Sequence, residues 1–177
     1  MKTKKLLNLS KQFIIFLFVL SFCYACNKDE NNPDYVGTWE ATGTMSVNSV
    51  IMEMKDIMTF STNTFSDIGQ IKNPDTNEWI NLIGLKGSIS VNGNIMNVAI
   101  MEIGMSAFDM ITGMPTGNIV YYKDGQSQFS SLLSQSGMEK TFNSEYSISG
   151  NNLTLKTDNN NDGDYNDENE VTVYTKQ

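Results

Sequence analysis

The densest set of chemistry-bearing side chains in this 177-residue chain is one stretch near its end, Asp158 to Glu170. It carries six carboxylates in thirteen residues: Asp158, Asp162, Asp164, Asp167, Glu168 and Glu170. Carboxylates crowded in one loop repel one another, and a hard divalent cation that takes about 6–8 oxygens relieves the repulsion. The spacing offers Asp158, Asn160 and Asp162 as side-chain ligands to Ca2+, with a carbonyl near Asp164 and a carboxylate from Glu168 or Glu170. The alternative is a solvated acidic loop without an ion. A second set is made of thioethers. Met45, Met52, Met54, Met58 and Met96 fall on the apolar side of strand-like segments. Flexible, polarizable side chains there can adapt to varied apolar ligands or simply fill a core, and core filling is the favoured reading. Thioethers also bind Cu(I), but the pattern supports packing far better than copper.

What the chain lacks narrows the chemistry further. It contains no His, and all twelve of its basic residues are lysines. Without His there is no Ser-His or Cys-His pair and no imidazole metal ligand. Without Arg there is no bidentate clamp for phosphate or carboxylate. No glycine-rich phosphate loop joins a strand to a helix. A carboxylate pair could still perform acid–base chemistry, but the acids cluster in the segment after Cys26 and near the C-terminus rather than in an evident pocket. An enzyme is not expected, nor a redox or nucleotide cofactor.

The N-terminus supplies a different kind of site. Lys2, Lys4, Lys5 and Lys11 precede Phe13 to Phe22, an apolar run of ten residues interrupted only by Ser21. A spanning helix needs about 20 apolar residues, so the run suits the core of a signal peptide. Ala25 then precedes Cys26. This arrangement resembles the lipobox of bacterial lipoproteins. The resemblance implies that residues 1–25 are removed, that the Cys26 thiol becomes the lipid-bearing thioether, and that residues 26–34 form a lipidated tether to a domain at 35–177. An ordinary secretory signal is the alternative. Lys28-Asp29-Glu30 resembles the tether of lipoproteins sent to the outer face of the outer membrane in some Gram-negative groups. That implies a surface-exposed, lipid-anchored protein of the outer membrane; a periplasm-facing anchor or a plain charged linker are the other readings.

Cleavage before Cys26 removes four lysines and no acids, leaving 8 lysines against 20 Asp and Glu, a net charge of 8 − 20 = −12. Such a surface argues against nucleic acid, which recruits cationic side chains. Cys23 departs with the signal and Cys26 is acylated, so no thiol remains for a disulfide or a nucleophile. The 152 residues from 26 to 177 suffice for one domain with a real core.

The elements that must position these residues read as strands. Gly37, Trp39, Ala41, Gly43, Met45 and Val47 alternate with polar neighbours. Val50, Met52, Met54, Met58 and Phe60 repeat the pattern, with Asp56 interrupting the apolar face. A third strand runs through Phe65, Ile68 and Ile71, followed by a loop to Asn77 and renewed strand signal from Trp79 to Val91. Asn92-Gly93 predicts a type I′ hairpin into Ile95 to Ile103. Residues 104–117 break the rhythm with Met105, Phe108, Met110 and Met114 among glycines and Pro115. They read as a long apolar loop, either a mobile lid or a partner-docking loop, the alternative being a segment tucked against one end of the domain. Ile119 to Lys123 and Gln126 to Leu133 read as a hairpin across Asp124-Gly125. Lys140 to Ile148, Leu153 to Thr157 and Val171 to Thr175 complete nine or ten strands, with no amphipathic helix of respectable length. Sequential hairpins favour an antiparallel up-and-down barrel, since closure removes exposed sheet edges; a β-sandwich is the alternative.

Asp34-Tyr35-Val36-Gly37-Thr38-Trp39 resembles the Gly-x-Trp opening of lipocalin-like domains. Tyr146 to Leu155 resembles the near-terminal hairpin of small bacterial lipocalin-like lipoproteins. The resemblance implies that Gly37 lets the chain bend into the first strand and that Trp39 closes the base of the barrel. Lipocalins usually lay an Arg over that Trp. This chain has none, which leaves Lys156 or Lys176 as substitutes. An eight-stranded barrel either fills its interior or holds one small ligand. The sequence thus supports a small-molecule binding module for an apolar or amphipathic ligand, or a filled barrel that docks a protein or surface-glycan partner. A cavity of several hundred Å3 beneath residues 104–117 would favour the first. A buried carboxylate pair facing that cavity would favour catalysis.

Overall fold

The computed structural model describes residues 33–47, 50–110, 113–158, 164–165, 167 and 170–177. The expected signal segment 1–25 and the expected lipidation site Cys26 lie outside them. Asp34–Gln177 forms one compact unit. Among the described residues it holds nine strands and one helix: β1 Gly37–Val47, β2 Val50–Phe60, β3 Thr64–Lys72, β4 Trp79–Asn92, β5 Ile95–Phe108, β6 Pro115–Lys123, α1 Ser127–Ser136, β7 Thr141–Ser149, β8 Asn152–Thr157 and β9 Val171–Lys176.

Eight of the strands close into an antiparallel barrel in the order β1-β2-β3-β4-β5-β7-β8-β9, with β9 returning to β1. The lipocalin-like barrel expected from the hairpin sequence is therefore the fold, and closure sets the sandwich aside. The ninth strand arises because β5 divides one edge between two partners. Its Ile95–Ala99 segment pairs with β7, and its Glu102–Phe108 segment pairs with β6. Strand β6 lies back over the outer wall, where Tyr121 crosses Gly84 and Gly104. A Cβ on Gly84 would collide with the Tyr121 hydroxyl, so glycine is what allows the ring to lie there. Lys86 Nζ sits 4.0 Å from the centre of the same ring.

A bulge in β4 and β5 keeps the inner face apolar. Pairing steps from Lys86↔Glu102 to Gly87↔Ile100, so Met101 is the extra residue and turns outward. Ile103 on one side of the bulge and Ile100 on the other both stay inside. The core gathers Trp39, Phe60, Phe65, Leu85, Ile89 and Met96 with their neighbours around the barrel.

Three expectations need correction. Residues 126–133 are not a returning strand: Ser127–Ser136 is helical, with Phe129 and Leu133 buried one turn apart. Gly137 ends the helix in the left-handed conformation, φ 69°, its N–H reaching the Leu133 and Ser134 carbonyls. Second, residues 104–117 are not one long loop. Strand β5 continues through Phe108 and β6 begins at Pro115, leaving a six-residue connection held by the N–H of Asp109 on the Met114 carbonyl at 2.8 Å. Third, the β4–β5 turn is centred on Gly93-Asn94, since Asn92 pairs with Ile95. Gly93 has φ 63° and Asn94 does not share the positive φ that type I′ requires at both positions, so glycine leads the turn as in type II′.

Candidate functional site

The base of the barrel is built on Trp39, which is fully buried. Its Nε1 donates to the Tyr35 carbonyl at 2.8 Å. Tyr35 in turn donates its hydroxyl to the Thr62 carbonyl at 2.8 Å and meets Phe60 and Tyr146 edge-on. Gly37 takes φ 138°, a conformation that favours glycine, and so turns the chain into β1. Of the two lysines that could stand over the indole, Lys176 does so, with Nζ 5.2 Å from the ring centre.

Above this base lies a cavity of about 330 Å3. Its inner wall is mainly apolar: Met58 and Phe60 from β2, Phe65 from β3, Leu85 from β4, Met96 and Val98 from β5, Phe142 from β7 and Leu155 from β8. Its outer end is bounded by Gly137, Met138 and Glu139, which come after α1, and by Thr157, Asp158, Glu170 and Thr172 around the β8–β9 connection. The volume is about twice the ~150 Å3 of an engineered apolar cavity that takes up benzene. It falls at the lower end of the range typical of small-molecule sites.

The residues expected to form a lid do not border this space. Met105, on β5, and Val120 and Tyr122, on β6, line a shallow groove beside α1. Phe108 is half exposed and Met110 fully exposed, while Met114 is partly covered. Of the methionines expected inside, Met58 and Met96 line the cavity, and Met45, Met52 and Met54 are half-buried along β1 and β2. Among the expected calcium ligands, Asn160, Asp162 and Glu168 lie outside the described residues. Asp158 and Glu170 border the cavity, Glu170 almost completely buried, and Asp164 is exposed. The Asp167 N–H donates to Glu170 Oε2 at 3.3 Å. Among the described residues no three acids converge as a metal site would require.

A carboxylate pair does occur inside the barrel. Asp56 on β2 accepts the Tyr174 hydroxyl at 2.7 Å on Oδ2. Asp67 on β3 stands within hydrogen-bonding reach of Asp56. Part of Asp67 keeps some exposure, but its Oδ1 is shut off from solvent and has no hydrogen-bond partner among the described residues. Burial pushes the Asp67 carboxyl well above the usual carboxylate range. The hydrogen bond and charge of Asp56 push the same way, and a bond from the Ile68 N–H opposes them. Tyr174 is also raised, first by burial and then by the charge and hydrogen bond of Asp56. Neither aspartate borders the cavity. Met58 and Leu85, the cross-strand partners of Asp67, and Tyr174 stand on its wall instead. Reading the third strand through Phe65, Ile68 and Ile71 missed Asp67; a strict period of two from Phe65 puts residue 67 on the inner face.

No protein-family model matches the chain, and a search of curated proteins finds no match. The fold and the cavity together therefore carry the assignment: a closed, lipocalin-like antiparallel barrel with an apolar chamber above a tryptophan base.

Proposed function

We propose that this chain is a membrane-anchored lipoprotein whose barrel binds a small apolar or amphipathic ligand. The observation that carries the reading is the cavity of about 330 Å3 with its wall of Met58, Phe60, Phe65, Leu85, Met96, Val98, Phe142 and Leu155. An interior packed solid would leave no such space. A neutral environment-sensitive dye such as Nile red should brighten and shift to the blue on titration with residues 34–177. Met58→Trp, which fills the chamber, should weaken the titration about tenfold or more while the domain still melts cooperatively. A dye response unaffected by Met58→Trp would place binding on the outer surface and end this reading.

The anchor rests on the lipobox resemblance around Cys26. Acyl chains contribute about 0.8 kcal/mol per buried CH2, so two or more hold the protein stably at a membrane. Cys26→Ala should move the protein into the soluble fraction; if it stays with the membrane through a carbonate wash, the anchor is elsewhere. A second reading, partner docking, draws on the exposed apolar side chains Met105, Phe108, Met110 and Val120 along β5 and β6. Crosslinking in intact cells from a photoreactive residue at Val120 distinguishes it.

A further inference from the structure

The chamber's walls and its outer end differ in kind, and the difference selects a ligand. Inside, the wall is apolar but for Ser144 and Tyr174, whose hydroxyls are taken up by Thr157 and Asp56. At the outer end stand three carboxylates, Glu139, Asp158 and Glu170, with the hydroxyls of Thr157 and Thr172. Among the described residues no lysine borders the cavity, and the chain has no arginine or histidine to offer. The lysines of the described residues stand elsewhere. Lys55 pairs with Glu40, Lys72 with Glu53, and Lys86 and Lys123 share Glu102. Lys140, next to Glu139 in sequence, is held by Asp124 at 2.6 Å. Lys176 is over Trp39 at the base, and Lys156 stands opposite Glu145 between β7 and β8.

Resting on the reading of the cavity as a ligand site, we infer that its ligand is a cationic amphiphile, an apolar chain or ring bearing an amine. The apolar part occupies the chamber and the ammonium remains at the outer end beside Glu139, Asp158 and Glu170. A carboxylate headgroup in the same position would face acids of its own sign along this end, with no lysine among the described residues on the cavity's border to receive it. Its desolvation would go uncompensated. The surplus of acids over the whole chain, 20 against 12 lysines, extends the preference outward by drawing cations toward the mouth.

The test compares three ligands with one tail: decylamine, decanol and decanoate, titrated calorimetrically into residues 34–177 at about pH 7.5, in EDTA and low salt. Decylamine should bind at least about tenfold more tightly than decanoate, with decanol between them. Raising NaCl to about 0.5 M should narrow the gap severalfold, since the Debye length falls to a few Å. Glu139→Gln combined with Asp158→Asn, which spares the buried Glu170, should narrow it in the same way and leave decanol unchanged. Equal binding of all three overturns this inference while the cavity reading stands, and so does tighter binding of decanoate. If none of the three binds, the cavity reading fails and this inference with it.

Discussion

An ionised Asp67 sets a negative charge beside Asp56 with one oxygen unpaired and out of reach of water. The raised pKa of that group turns this local cost into a pH dependence of the whole domain. Between the ordinary carboxylate value, about 4, and the raised folded value, the folded state holds a proton that the unfolded chain has lost. Stability therefore falls as pH rises through that window, and what the proton contributes is fully present only below it. Asp67→Asn keeps the shape and gives Asp56 a permanent hydrogen-bond donor. It should raise the melting temperature at pH 7–8 by a few °C. It should also flatten the fall of melting temperature as pH rises above the ordinary carboxylate value. A variant that melts lower at every pH would show instead that the ionised pair is favourable as it stands. Asp56 was visible in the sequence as a break in an apolar face. Asp67 was hidden because Ile68 beside it offered a more conventional inner residue; period two from Phe65 points to residue 67, and the cross-strand register bears that out.

At the scale of elements, local turn chemistry located the β4–β5 hairpin but misled at the next turn signal. Asp124-Gly125 signals a hairpin and does form a turn, but the element after it is α1. Its serines are mediocre helix formers, and its signal lay in Phe129, Leu132 and Leu133 at helical spacing, with Gly137 at the end. The methionines and glycines of 104–117 obscured two strands for a related reason: Gly104 and Gly117 are in the sheet, Gly104 in a close packing against Tyr121 and Ile119. The β8–β9 connection keeps its expected role as a calcium loop only as a proposal, and it is open to a direct test. With a Kd of about 0.1–1 mM, as in weak extracellular sites, about 5 mM Ca2+ should stabilise the domain by about 1–2 kcal/mol, a rise of several °C in melting temperature. Asp162→Ala should remove that rise. A melting curve indifferent to both Ca2+ and EDTA leaves the loop as solvated acid.

The whole molecule was the most legible level. Period-two alternation, closely spaced turns and the Gly37-x-Trp39 opening all favour a barrel, and the barrel closes. What no local pattern could report is how unevenly it closes. Strands β1 and β2 share eleven paired positions, but β1 and β9 share two, Trp39↔Lys176 and Glu40↔Thr175. The first of these joins residues 176 − 39 = 137 apart along the chain. The entropy lost in closing a loop grows with the logarithm of its length, so this junction costs about 2 kcal/mol more than one a tenth as long. Every hairpin in the wall can zip from its own turn, but the last seam must be found by diffusion of distant ends. The seam lies at the tryptophan. With its nitrogen fastened to Tyr35 and its face under Lys176, Trp39 is the clasp on the longest closure in the fold.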